Sequence, residues 1–265
     1  MLEIMFVIAI AIEIIFPLVL AFWAIRKLGS SWIVFAVGAL AFVCSQVIHI
    51  PIVLGIQPVW SSPEFTSMPL LTRALISGVS LGFLAAICEE PMRWLSFQLL
   101  HEKGDKVKTG VVMGIGHGGI ESIVLVGFSV LSSFILMISI RDGGMSIPQV
   151  TPEMVQEYFA TPWHLPLAGA VERLAAISFH IGMSLVVWKS VKHRSWLWFL
   201  GAIVAHTLFN TIAVMMSTMG AGVWAIEVVM VLLAALMMIW VIRTAREEMP
   251  EDDDNKPLLQ ESAAV

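Results

Sequence analysis

Seven long apolar runs follow one another along the chain, at roughly 3–25, 32–56, 71–98, 110–140, 164–189, 195–218 and 220–243. A helix needs about 20 predominantly apolar residues to cross a bilayer core. The pattern therefore predicts an all-α, polytopic transmembrane helix bundle of about seven spans. The third, fourth and fifth runs exceed the crossing length, so tilts, kinks or extensions beyond the bilayer are expected.

Basic residues orient the bundle. Arg26 and Lys27 follow the first run, Lys103, Lys106 and Lys108 the third, Lys189, Lys192 and Arg194 the fifth, and Arg243, Arg246 and Lys256 the seventh. The intervening loops 57–70 and 141–163 hold only Arg141, with Arg73 at the entrance to the third run. The positive-inside rule then puts the N-terminus outside and the C-terminus in the cytoplasm, which favours seven spans over six or eight. In loop 141–163, Thr151 can cap a short helix starting at Pro152, although a plain connector is the favoured reading.

Composition agrees with lipid as the solvent. Of 265 residues, 58% are hydrophobic and 13% charged, against about 25% charged in a soluble domain. Mean hydropathy is +0.88. Ten Trp, fourteen Phe and one Tyr fit a lipid-facing surface with interfacial Trp anchors. The N-terminus lacks the positive charge that precedes the apolar core of a secretory signal, so the first run is read as a retained span. Residues 1–245 are expected to form the membrane domain. Residues 246–265 are expected to form an acidic, disordered cytoplasmic tail around Glu247–Asp254. The two cysteines, Cys44 and Cys88, lie in apolar runs and read as small core residues. No basic patch with interleaved aromatics exists, so nucleic acid is excluded as a partner. Membrane lipid, in a multi-pass protein of a prokaryotic cell membrane, is the expected surrounding.

The apolar runs contain residues that lipid opposes: Glu13, His49, Glu89, Glu90, Arg93, His117, Glu121, Glu172, Arg173, His180, His206 and Glu227. At a span centre such groups cost on the order of 2.5–3.5 kcal/mol each by insertion scales. Measured from the basic ends at 1.5 Å per residue, Glu89/Glu90, His117, His180 and His206 all fall at roughly 12–17 Å depth. Four segments thus bring ionisable groups to one level, which predicts one shared site. Arg93 lies four residues after Glu89 and three after Glu90, so it can pair with a carboxylate on its own helix face. Pro91 predicts a kink beside that pair. In Gly114-Ile115-Gly116-His117-Gly118-Gly119-Ile120-Glu121, the glycines permit close helix approach and Glu121 can orient His117. His206 and Asn210 repeat the four-residue spacing. Glu172 and Arg173 read as an outer-half pair supporting the site, with Arg173 near the face of His180. Gln46 and His49 share a face, as interhelical glue or as site lining. Glu13 and Glu227 have no evident partner.

Several patterns are discounted. Gly78-Val79-Ser80-Leu81-Gly82 matches the serine elbow, but that elbow needs a strand-to-helix turn. His101-Glu102 lacks the second histidine of a zinc-protease motif. Gly104-Asp105 lies in a basic loop rather than a span, which leaves no presenilin-type aspartyl site.

The ordered set Glu89-Glu90-x-x-Arg93, Gly116-His117-Gly118-Gly119-x-Glu121, Glu172-Arg173…His180 and His206-x-x-x-Asn210 resembles the YhfC family of intramembrane peptidases. That family is similar to the clan of CAAX-processing and bacteriocin-protection (CPBP) membrane proteases. The resemblance covers approximately 46–210. The wider clan spaces its acidic pair and arginine one residue further apart, so Glu89 and Glu90 both stand as the catalytic glutamate. The resemblance implies an intramembrane endopeptidase acting on a protein or peptide with a membrane segment. It also implies a Glu and a His that activate water and a His/Asn pair that polarises the carbonyl. On this reading Glu89, Glu90, His117, His206 and Asn210 are catalytic, while Arg93, Glu121, Glu172, Arg173 and His180 support them. No cofactor is expected. A zinc ion held by His117, His180 and His206 is the first alternative, because three His ligands and a water form a catalytic zinc geometry. The second is a non-enzymatic proton-coupled transporter using the same groups as a relay, with inverted repeats and broken spans.

The basic-loop pattern makes a direct prediction. In a background with Cys44 and Cys88 replaced by serine, a cysteine introduced at Ser262 should resist an impermeant thiol reagent in intact cells. Efficient labelling there would overturn the orientation.

Overall fold

The computed structural model describes residues 1–100 and 106–248, and no strand occurs among them. Seven helices are long and apolar enough to cross a membrane, named here first to seventh span in chain order. They are Leu2–Leu28, Trp32–Trp60, Leu70–Leu99, Val107–Arg141, Pro166–Lys192, Trp196–Thr218 and Val223–Glu248. Each predicted run overlaps one span, and the protein is an integral multi-pass helical bundle. The acidic tail expected from 246 lies outside the described residues from 249 onward. Arg246, Glu247 and Glu248 close the seventh helix, and Lys192 reaches across to pair with Glu248.

The fifth span is the axis of the bundle. In its most apolar stretch 78% of residues are buried by protein, against at most 33% in any other span. The fourth and seventh spans pack against it. The fourth comes close because its glycines face backbone: a Cβ at Gly114 would lie 2.5 Å from the Ile181 Cα, and one at Gly118 3.0 Å from the Ile177 Cα. The Gly78…Gly82 pattern has the same use. Gly82 lies where a Cβ would stand 2.5 Å from the Thr207 carbonyl oxygen, and the Thr211 hydroxyl donates to the Gly78 carbonyl at 3.1 Å. These small residues lock the third span onto the sixth, as a G-x-x-x-G face does in lipid.

Among the described residues two irregular turns break the helical ladder, and neither is at Pro91. The third span is helical without interruption from Leu70 to Leu99 with Pro91 inside it. The irregularities are π-helical turns at Ala11–Ile15 in the first span and Ser122–Gly127 in the fourth. Such turns widen the ladder and expose a carbonyl. Here the Ser122 hydroxyl donates to the Glu13 carbonyl at 2.8 Å, so the turn in the fourth span satisfies the one in the first.

Outside the spans, Pro152–Phe159 is a helix rather than the connector favoured from sequence, and the Thr151 hydroxyl accepts from the Met154 amide at 3.3 Å. Its own backbone amide and the Thr151 hydroxyl hold the Glu153 carboxyl below its usual range. Cys88 is buried, but Cys44 is exposed on the lipid-facing side of its helix and is not a core residue.

The glycine contacts predict an asymmetry. A Cβ at Gly116 would overlap the backbone carbonyl of Phe35, whereas one at Gly55 would meet nothing within 4 Å. Gly116→Ala should therefore destabilise the purified protein by about 1–3 kcal/mol, as overpacking does. Gly55→Ala should be neutral or mildly stabilising. Equal thermal midpoints for the two variants would refute the close packing.

Candidate active site

The third span carries the acidic pair, and its helical rotation separates the two carboxylates. Glu90 points into protein and is fully buried. It accepts two hydrogen bonds from the Arg93 guanidinium at 2.8 and 2.9 Å and one from His206 Nδ1 at 2.6 Å. Glu89 faces the other way, into a cavity of about 410 Å³ also lined by Glu121, His180, His206 and Asn210. His117 Nε2 stands 3.0 Å from Glu89 Oε2. His206 Nε2 lies 3.9 Å from that same oxygen.

The arginines tie the spans together. Arg93 pairs with Glu90, three residues before it, and its second nitrogen lies 3.0 Å from His180 Nδ1. A guanidinium only donates. Nδ1 of His180 is therefore the acceptor, and a neutral ring carries its proton on Nε2. That Nε2 stands 2.7 Å from Glu121 Oε2. Arg173 donates to Glu121 Oε1 at 3.0 Å and also pairs with Glu172 beside it. The pairing of Glu121 with His117 that their spacing suggests does not form. Glu121 serves His180 and Arg173, and His117 serves Glu89. Likewise Arg173 reaches His180 only through Glu121.

Ring packing fixes the imidazoles. The centroids of His117 and His180 are 4.8 Å apart and those of His180 and His206 5.7 Å. Phe42 closes edge-on over His117, and Phe179, stacked on Phe209, closes over His206. Gln46 and His49 bond each other at 3.1 Å and do not line the cavity. Glu13 is buried behind Arg173 at the π turn. The sequence reading assigned nothing to Glu227, yet it lines the cavity. Its signal was a carboxylate deep in an apolar run with no base one turn away.

Glu89, His117, Glu121 and His180 each offer a ligand atom, and these atoms all lie within 4.8 Å of one another. Two imidazoles and two carboxylates make a donor set suited to zinc. His117 Nδ1 is also buried without a hydrogen-bond partner among the described residues. The group thus differs from the three histidines considered from sequence. Glu89 and Glu121 take part, and His206 is engaged with Glu90 instead.

The sequence profile of the YhfC intramembrane metalloprotease family matches residues 8–244. The chain is also 29% identical over 245 residues to an uncharacterized membrane protein, YhfC, of Bacillus subtilis (strain 168). That match covers 89% of this chain and 93% of the other. No solved structure matches the chain.

The buried Arg93–Glu90 pair predicts a stability effect separate from chemistry. Arg93→Met should cost on the order of 3–5 kcal/mol, the usual result of stranding one member of a buried pair. Adding Glu90→Gln should recover part of it. Thermal unfolding of the purified variants reads both, and an Arg93→Met protein as stable as wild type would show the pair to be dispensable.

Proposed function

Because the chain belongs to the YhfC intramembrane metalloprotease family, we propose that it is an intramembrane endopeptidase in which Glu89 activates water to hydrolyse a peptide bond in or near the membrane. One observation carries this reading. Of two adjacent carboxylates, Glu90 is saturated by Arg93 and His206, while Glu89 faces a cavity shared with His206 and Asn210. A base must reach the proton it removes, and Glu89 is the carboxylate that can.

The chemistry follows from the partners. A water in the cavity gives a proton to Glu89, and its oxygen attacks the carbonyl carbon. His117, 3.0 Å away, steers the carboxylate. The developing oxyanion accepts from the Asn210 amide and from His206 Nε2. His206 spends its Nδ1 proton on Glu90, so it donates to the cavity only when both ring nitrogens are protonated. Glu90 and Arg93 are thus positioning residues for that imidazole. As the tetrahedral intermediate collapses, the C–N bond breaks and Glu89 returns its proton to the leaving amine. The substrate is a protein or peptide with a membrane segment, since water and apolar walls meet at this depth.

The donor set supports a second reading. A divalent ion would be held by Glu89, His117, Glu121 and His180, and would supply a Lewis acid and a water of lowered pKa. Two contacts weigh against it. Arg93 occupies His180 Nδ1, where a metal-bound histidine ordinarily donates outward, and Arg173 already holds Glu121. The transporter reading is weaker still, because the third, fifth and sixth helices run unbroken past the site.

In reconstituted protein given single-span peptides, Glu89→Gln should lower turnover by about 10²–10⁴-fold with folding retained. Asn210→Ala should lower it by about 10²–10³-fold, the scale of one oxyanion donor. Glu90→Gln should act more weakly than Glu89→Gln, through His206. Wild-type turnover in both glutamate variants would end the reading of a glutamate as the base. Activity should survive exhaustive chelation. Stoichiometric zinc in active protein, with activity lost on chelation and restored by zinc, would put the metal reading first.

A further inference from the structure

The cavity has a second end that the hydrolytic chemistry does not use. From the level of Glu89 and His206 it runs along the fifth span to Glu172 and Glu227, away from the Lys189–Lys192 end. Glu227 lines this end, yet it is 6% exposed, and its Oε2 is buried without a hydrogen-bond partner among the described residues. The charges that bear on it are those of Glu172 and Arg173. Arg173 is already divided between Glu121 and Glu172. Glu121, Glu172 and Glu227 therefore share one guanidinium at this end, on which buried Glu13 also bears, and the bases of the seventh span, Arg243 and Arg246, lie at its far terminus. An ionisable side chain held unpaired inside a membrane protein is by default a functional group, and a substrate cation is one partner it can take. The cavity between the two ends is lined by the small residues Ala175, Ala176 and Ala213 together with the larger Phe179, Phe209 and Met230.

We propose that Glu227, with Glu172 beside it, forms an acidic subsite that receives an arginine or lysine side chain of the substrate, three or four residues from the bond cleaved. The proposal rests on the peptidase reading for its register. Glu172 precedes His180 by eight residues, about 12 Å along a helix at 1.5 Å per residue. An extended chain covers about 3.3–3.6 Å per residue, so three or four residues bridge the two ends. The subsite makes the enzyme selective for membrane segments with a basic residue near one end. It also gives the otherwise uncompensated carboxylate its counter-charge only while substrate is bound.

The test uses the full-length protein in nanodiscs and a set of single-span peptides in which one arginine, or one glutamine as its control, is moved along the segment. Cleavage positions are read by mass spectrometry. Binding to the Glu89→Gln protein, which holds substrate without turning it over, is read by fluorescence anisotropy. Arginine three or four residues from the cut should raise kcat/KM at least tenfold over glutamine there, and binding to the Glu89→Gln protein in parallel. Glu227→Gln should bring both ratios within twofold of unity, and Glu227→Lys should turn the preference toward a glutamate peptide. Cleavage without an arginine preference, or a preference that survives Glu227→Gln, overturns the subsite and leaves the peptidase reading standing. Arginine-selective binding that depends on Glu227, with no cleavage of any peptide by wild-type protein, supports the subsite and overturns the peptidase reading. Neither selective binding nor cleavage overturns both.

Discussion

A charge inside a bilayer must bring its partner with it, and in this bundle that requirement ties four of the seven helices into one network. Arg93 on the third span holds Glu90 beside it and His180 on the fifth. Glu90 in turn holds His206 on the sixth, and His180 faces Glu121 on the fourth. Arg173 extends the chain to Glu172, where the cavity meets Glu227 of the seventh. Each side chain is costly in lipid alone and tolerable only when the others are in place. The site is therefore also a device that specifies how the helices sit relative to one another. Removing its central arginine disturbs architecture and chemistry together.

Much of this was legible from the chain. Apolar runs of crossing length located every span, and the equal depth of Glu89/Glu90, His117, His180 and His206 marked residues that the structure brings together. Depth along a helix follows from counting residues, because the rise per residue is constant. Rotation about the helix axis does not. Two adjacent glutamates point about 100° apart in a helix of 3.6 residues per turn, and only neighbouring helices decide which of them meets arginine and which meets the cavity. The same limit explains Glu121. Its spacing allowed a pairing with His117, but tertiary neighbours offered it Arg173 and His180, and those contacts won.

The glycine pattern shows another way in which one string of residues admits two readings. Gly78 and Gly82 match a hydrolase elbow as a string, and in the bundle they are places where the third and sixth spans touch backbone to backbone. Lipid supplies no hydrophobic drive between helices, so close van der Waals contact and interhelical hydrogen bonds take over that task. Pro91 is the converse case. A residue that usually breaks helices sits inside a continuous one, while the π-helical turns among the described residues meet where Ser122 satisfies the freed carbonyl of Glu13.

The fifth span carries a consequence for how the protein is made. It is the least apolar of the seven and the most enclosed by protein, and it bears Glu172, Arg173 and His180. Leaving the translocation machinery alone, it would present those groups to acyl chains. Its partners on the third and fourth spans, Arg93 and Glu121, are synthesised before it. The growing chain can thus offer it a lined berth at the moment of release. The order of helices along the gene then doubles as an order of assembly, in which the earlier spans act as an internal chaperone for the later, more polar one.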